Sequence, residues 1–398
     1  MRKKKIAVIG AGIAALTLAY AIRKDDLFDV TVYAAKNADE IRNGRIPSTQ
    51  IHFDRFLRTE ERFGIGPYGD VYDVKEIELL VGGQKMFKGR VNARAVSIDQ
   101  REYLAALQEG LKRQGADVRK RRASPEDISL FADEYDLIVD CTGKIGPVVD
   151  FPIYDRIRNA PVAPQRVCSA GMFRGLAPDE EQKMAFNIVP GLGELFETST
   201  MTRHGPARVL LFEPIPGSEM DCIKGDKGPD VFAKEMLGAL DAYFPHIRER
   251  VDPNEFRLVD PNAYMRVAIK PELRIPYATA NGTLALGCGD SVALNDPITG
   301  QGANAASYCA EALYDVLAEH RDATWDSALG ERYWDRTREF ATKMTEWTNG
   351  MMGPLSDSFS ELLGRATQNQ AVADEVVGLF LDPIQAHRVF FASSMLEA

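Results

Sequence analysis

The stretch "KIAVIGAGIAALTLAYAI", residues 5–22, decides how this chain is read. Lys5–Ile9 is a short apolar run of the kind that forms a fully buried strand. Gly10-Ala11-Gly12-Ile13-Ala14-Ala15 follows it as G-x-G-x-x-A. In that pattern the first glycine permits a tight turn and the second lets the backbone approach a pyrophosphate. The small third residue, Ala15, keeps the next helix close to the strand. Leu16–Ile22 then carries an apolar helix, and Val30–Tyr33 reads as a second strand at the right distance. The helix N-terminus offers unpaired N–H groups and a positive dipole end to phosphates. Gly10, Ala11, Gly12, Ala14 and Ala15 are therefore expected to border a dinucleotide. The same residues have the basic start, apolar run and small-residue ending of a secretory signal. The strand–turn–helix template fits without exception, so the expectation is a cytoplasmic protein.

Working outward, 398 residues give room for two or more domains or one large mixed one. A net charge of −10 argues against a nucleic-acid or anionic-membrane partner. The basic run Arg119–Arg122 precedes "ASPED" and reads as a solvated, locally neutralised loop. Five widely spaced cysteines with no C-x-x-C fit a reducing compartment. The five histidines (52, 204, 246, 320 and 387) show no pair at ligand spacing, so no metal is expected. No other apolar run approaches the roughly 20 residues that span a bilayer, so no membrane partner is expected.

Further along, Glu76–Val81 and Gln84–Lys88 flank Gly82-Gly83 as a hairpin, because paired glycines supply the positive φ of a tight turn. Ser97-Ile98-Asp99-Gln100 reads as a capping box opening a helix to Arg113, with Gly115 closing it. "YDLIVDCTG", residues 135–143, is an apolar central strand ending in a small-residue turn. Strand Arg208–Phe212, helix Asp230–Phe244, strand Gly282–Asp290 and helix Gly302–His320 follow, and the chain is mostly helical from there. This order predicts an α/β protein. A discontinuous Rossmann-like dinucleotide-binding domain (1–47, 98–150 and 282–320) is interrupted by a β-rich substrate domain (48–97 and 151–281). A helical C-terminal region, 321–398, completes it. One element departs from the pattern: no acid follows the second strand until Asp39, so Lys36 or main chain is expected to hold the adenosine ribose.

The stretch from Leu286, "LGCGDSVALNDPITGQGANAAS", gathers small residues ahead of a helix. Asp290 can accept hydrogen bonds from a ribityl or ribose hydroxyl. The helix N–H groups can meet the polar edge of a flavin, and the glycines leave room for it. The plainer reading is a close strand–helix contact with Asp290 as an N-cap.

Together with "YDLIVDCTGK" (135–144) and "TEWTN" (345–349), this stretch resembles the styrene/indole monooxygenase family, the two-component flavoprotein epoxidases. The resemblance covers nearly the whole chain. It implies a glutathione-reductase-type FAD domain with a β-sheet substrate domain. It also implies FAD reduced by a separate NADH-dependent flavin reductase and arriving as FADH2. In that family reduced FAD reacts with O2 to a C4a-hydroperoxide that epoxidises an aromatic alkene. The resemblance puts Gly143, Pro297, Ile298, Gly300, Gln301, Gly302, Ala303 and Asn304 at the flavin, with Arg45 beside its reduced, anionic form. Around a small aromatic substrate it implies Ser48, Gln50, His52, Val74, Ile77 and Ala93, with Trp347 and Asn349 as pocket neighbours. Ser48 and Gln50 match the indole-type choice and would orient an indole N–H, whereas His52 matches the styrene type. The expected reaction is epoxidation of indole or a related aromatic alkene. A styrene-type epoxidase, an FAD-linked dehydrogenase and a non-catalytic dinucleotide-binding scaffold stand as alternatives.

Overall fold

Gly10 turns the chain at the end of Lys5–Ile9, beside the ends of Leu137–Asp140 and Thr283–Gly287. The structure, a computed structural model, describes residues 2–48, 51–178 and 182–392. Its first sheet runs in the order Tyr277–Ala280, Thr283–Gly287, Leu137–Asp140, Lys5–Ile9, Asp29–Ala34, Asp117–Lys120. All neighbours are parallel except Tyr277–Ala280, which forms an antiparallel hairpin with Thr283–Gly287. Alternation in the first strand explains why it is apolar throughout. Ile6 and Val8 pack against the helices Ile13–Asp25 and Gln301–Glu319 on one face. Ala7 and Ile9 pack against Phe131, Tyr135 and Phe151 on the other. Covered on both sides, the strand has no polar face.

The second sheet has eight strands, ordered Arg257–Leu258, Val167–Arg174, Gly205–Pro214, Gly193–Thr202, Lys183–Val189, Glu76–Val81, Gln84–Arg90. Tyr264–Ala268 also pairs with Val167–Arg174. It is antiparallel apart from the Lys183–Val189 and Glu76–Val81 pair. Ile51–Phe53, Ala95–Ser97 and Tyr72–Asp73 form a separate three-stranded ribbon. The C-terminal helices Asp357–Ala366, Gln370–Gly378 and Pro383–Phe390 share the larger core with the second sheet. This is the glutathione-reductase-type α/β architecture with a β-sheet insertion and a helical C-terminal region.

Several local expectations shift. The Gly82-Gly83 hairpin forms, with φ of 58° and 78°. The cap of the Gln100–Arg113 helix is Asp99, whose side chain accepts from the Arg101 N–H at 3.0 Å. Ser97 instead ends a strand, because its pairing with Ile51 and Tyr72 outcompetes a capping turn. The basic run is only half a loop. Arg119 and Lys120 lie in the edge strand Asp117–Lys120, and ion pairs to Asp117 and Glu40 neutralise them. Charged side chains also guard an edge strand against mispairing. The hairpin strand Tyr277–Ala280 belongs to the first sheet although the expected boundary fell at 282.

Candidate cofactor and substrate site

Three strand ends converge on one edge of the first sheet. The Gly10 N–H donates to the Tyr33 carbonyl at 2.9 Å, the Cys141 N–H to Ile9 at 2.8 Å, and the Cys288 N–H to Asp140 at 3.0 Å. Gly10 has φ of 125°, and a Cβ there would lie 2.2 Å from the Cys141 carbonyl oxygen, so only glycine fits. Gly12 is different: a Cβ would meet nothing within 4 Å. It serves as N-cap of the Ile13–Asp25 helix, and no side chain occupies the cap. The helix N-terminus therefore has no side-chain cap, which suits a pyrophosphate. Ala11 is half-buried, while Ala14 and Ala15 are buried, and Ala14 closely approaches Gly289 from the third strand end.

The Gln301–Glu319 helix repeats the arrangement. Its N-cap, Gly300, carries no capping side chain, and a Cβ at Gly302 would meet nothing within 4 Å. Gln301 and Asn304, both expected at the cofactor, use their side chains on the protein. Gln301 Nε2 donates to the Thr299 and Phe380 carbonyls at 3.2 and 2.9 Å. Asn304 accepts from the Phe53 N–H at 2.8 Å and donates to the Gly300 carbonyl at 2.8 Å. What this helix end can offer a ligand is main-chain N–H, together with Ala303. Just ahead, Pro297–Thr299 forms a turn capped by Asp296, and Thr299 Oγ1 pairs with Thr348 Oγ1 at 2.8 Å.

Asp290 lies half-buried in the turn after Thr283–Gly287. Burial raises its carboxyl above the ordinary range, and the Lys144 ammonium offsets part of this. Lys144 follows Gly143 and donates to the Pro47 carbonyl at 3.2 Å. Asp140, which sequence reading passed over, organises this turn. Its carboxylate accepts from Thr142 Oγ1 and from the Thr142, Val148 and Val149 N–H groups. An acid ending an apolar strand ahead of Thr-Gly was the available signal. Lys36 is exposed just beyond the second strand, and its carbonyl accepts from Gln108 Nε2 at 3.0 Å. Arg45 bonds Asp226 at 3.1 Å and lies 3.5 Å over the Tyr264 ring, so its partners come from the inserted segment.

Between the Pro297–Gly300 turn and the second sheet is a small chamber of about 40 Å³. Ile51, Phe53, Thr198, Val209, Leu211 and Phe380 help to line it, and no charged side chain does so among the described residues. Ile51 and Phe53 face the chamber. His52, between them on the strand, points the other way, as strand alternation demands. It stacks on Phe56 at 3.8 Å and pairs with Gln100 at 2.7 Å, and burial pushes its pKa down to about 3. His52 thus stands outside the chamber wall and is neutral. Ser48, Val74 and Ala93 do not line the chamber either, and Gln50 lies outside the described residues. Ile77 and Trp347 line a second cavity, whereas the buried Asn349 lines neither.

Behind the turn lies a cluster that no sequence spacing revealed. Donor atoms of Cys168, Glu213 and Asp296, all buried, lie within 4.8 Å of one another. Burial drives Glu213 well above the usual carboxylate range, with Asp296 and Glu194 adding to the shift. Burial also raises Asp296 to about 6 and Glu194 to about 7, the latter despite its 2.5 Å ion pair with Arg166. Burial thus favours the protonated form of Glu213 over its carboxylate.

Two curated relatives cover the site from end to end. Each is a styrene monooxygenase StyA, one from Pseudomonas sp and one from Pseudomonas fluorescens. Each is 31% identical, spanning 96% of this chain and 94% of the relative. The chain belongs to the styrene monooxygenase family. A family model described as "Styrene monooxygenase A putative substrate binding domain" matches residues 143–250, which hold most of the second sheet. The fold is shared more widely. Flavin-dependent brominase Bmp2 superposes with a TM-score of 0.68 at 13% identity, covering 100% of this chain and 99% of the other. P. aeruginosa PqsL in complex with 2-aminobenzoylacetate gives 0.62 at 15%, covering 94% and 100%. As a member of the styrene monooxygenase family the protein is a flavin-dependent monooxygenase, with FAD as cofactor and O2 as oxidant. Its residues fit FAD: two uncapped helix N-termini, each beside a glycine with open space, lie at one sheet edge with the Asp290 carboxyl. No helix among the described residues is long and apolar enough to cross a membrane.

Proposed function

We propose that the protein transfers one oxygen atom from O2 to the carbon–carbon double bond of an uncharged aromatic alkene, giving an epoxide. The carrying observation is the chamber against the Pro297–Gly300 turn, walled by Ile51, Phe53, Val209 and Leu211, with no charged side chain among the described residues. Burying an ionised substrate there would be prohibitive, whereas an apolar alkene is favoured. FAD, once reduced, supplies with O2 the electrophilic oxygen. The chain's own work is to bind, orient and exclude water. Main-chain N–H groups at the start of the Gln301–Glu319 helix hold the polar edge of the cofactor, and the apolar wall keeps water from the reacting carbons. Residues 1–47, 98–150 and 282–320 supply the cofactor side in this reading, and 48–97 with 151–281 the substrate side. Reduced FAD comes from a separate NADH-dependent flavin reductase, a reading supported by the kinship with StyA.

The apolar lining of the chamber suits the alkene end of a styrene-type substrate at least as well as that of indole. Ser48 lies outside the walls of the chamber and of the larger cavity, and Gln50 lies outside the described residues. One observation keeps indole in play. Thr198 Oγ1 donates to the Lys183 carbonyl at 3.2 Å, leaving its oxygen lone pairs for an N–H on the chamber wall. The test supplies purified protein, FAD, O2 and an unrelated NADH:flavin reductase with equal styrene and indole, and quantifies products by mass spectrometry. Styrene oxide or indigo-forming oxidation above a no-protein control is expected, and the ratio assigns the substrate type. Turnover of neither, with no O2-dependent product, would sink the proposal.

A further inference from the structure

The small chamber adjoins a much larger cavity, of about 510 Å³, between the second sheet and the C-terminal helices. Ile298 and Phe380 line both, so they form the partition between the two spaces. The sizes decide how a substrate can be seated. A benzene ring occupies an engineered apolar cavity of about 150 Å³. At about 40 Å³ the chamber beside the turn takes a reacting end but no aromatic ring. The larger space, at about 510 Å³, has room for about three such rings.

We propose that the native substrate is an extended, uncharged arene: its alkene end enters the small chamber, and its apolar bulk of two or three rings fills the cavity beyond Ile298 and Phe380. This rests on the oxygen-transfer reading of the small chamber. The lining supports the chemical class. Ile77 and Phe186 come from the sheet, and Trp347, Leu363 and Val376 from the helices. The only charged side chains in it, among the described residues, are Arg166 and Glu194. They meet each other through Nε–Oε1 and Nη2–Oε2 contacts at 2.5 and 3.3 Å, so each has its partner within the wall. Met351 and Met352 add unbranched, polarisable side chains that adapt to irregular shapes. Packed interiors contain few voids larger than a water molecule, which sets this cavity apart from packing defects.

Trp347 is the only tryptophan in the cavity wall, so it reports on binding before any turnover. The purified full chain is titrated with styrene and with 4-vinylbiphenyl while tryptophan fluorescence is followed, and both arenes are then offered in the reductase-coupled assay. 4-Vinylbiphenyl is expected to bind at least tenfold tighter than styrene, with the fluorescence change lost in Trp347→Phe. Larger arenes leave water more readily in any apolar site, so two variants that fill the cavity, Leu363→Trp and Val376→Phe, control for this. Each should cut the vinylbiphenyl-to-styrene affinity ratio at least fivefold. Equal affinities, or a ratio that neither variant moves, overturn the inference. Epoxide formed without binding selectivity overturns the extended arene alone and leaves the oxygen-transfer reading intact. Selective binding with no epoxide from either arene removes the oxygen-transfer reading while the ligand site stands.

Discussion

Thr299 and Thr348 meet hydroxyl to hydroxyl at 2.8 Å, joining the turn ahead of the Gln301–Glu319 helix to the long helix Ser327–Met351. Both are buried. Removing one partner leaves the other hydroxyl stranded, at a cost of about 1–3 kcal/mol, whereas removing both costs less than the sum. Thr299→Val and Thr348→Val should each lower the unfolding free energy in denaturant by that order, and the double variant should lose less than the two singles combined. Strict additivity would mean that the pair is not coupled.

The two glycines of the first turn should separate folding from cofactor binding. Gly10→Ala drives a Cβ into the Cys141 carbonyl at 2.2 Å and should yield little folded protein. At Gly12 a Cβ meets no protein atom within 4 Å, so Gly12→Ala should unfold at the wild-type denaturant midpoint. It should nevertheless bind FAD at least tenfold more weakly, because the methyl group takes the space of the pyrophosphate. Isothermal titration with FAD, beside a denaturation curve, reads both quantities.

The buried carboxyl cluster predicts a pH dependence. Unfolded Asp and Glu lose their protons near pH 4. In the folded protein Asp296 keeps its proton to about 6, Glu194 to about 7, and Glu213 beyond the usual range. Over that window the native state binds more protons than the unfolded one, so stability falls as pH rises. The contribution is complete below about pH 4 and is lost through pH 6–7 and above. Facing groups are Cys168 and Arg166 on and beside one strand, Glu194 on a second, and Asp296 on the turn. Glu213→Gln should flatten the decline in thermal midpoint between pH 6 and 9. A decline as steep as wild type would assign it to other groups.

His52 should be silent to pH and to substrate choice. It is neutral, with its pKa pushed to about 3 by burial, and lies on the strand face away from the chamber. His52→Met should leave the styrene-to-indole product ratio within twofold, whereas Phe53→Leu, on the chamber face, should shift it. NMR of the His52 ring between pH 5 and 8 should show no titration step.

How much of this was legible depends on distance along the chain. The glycine turn, the Gly82-Gly83 hairpin and the apolar central strands announce themselves within a few residues, and the structure has them in place. Ser97 against Asp99 shows the limit at close range: both can cap, and the choice was made by strand partners elsewhere. His52 was expected at the substrate, but strand alternation turns it from the chamber that Ile51 and Phe53 face. The Cys168–Glu213–Asp296 cluster and the large cavity could not be read at all. They join side chains from segments far apart in sequence, and nothing local marks a residue as belonging to them. Asp296 did carry a local sign, an acid before proline at a turn, but that sign speaks of a cap rather than of shared protons.

The hydrogen bond from Gln301 to the Phe380 carbonyl has a consequence for synthesis. The glycine turn at residue 10 leaves the ribosome early and has its strand and helix at once. The opposing helix end is secured only when Thr348 and Phe380 have emerged to hold it. A nascent chain halted before Phe380 therefore lacks the contact that fixes the Gln301 side chain at the second helix end.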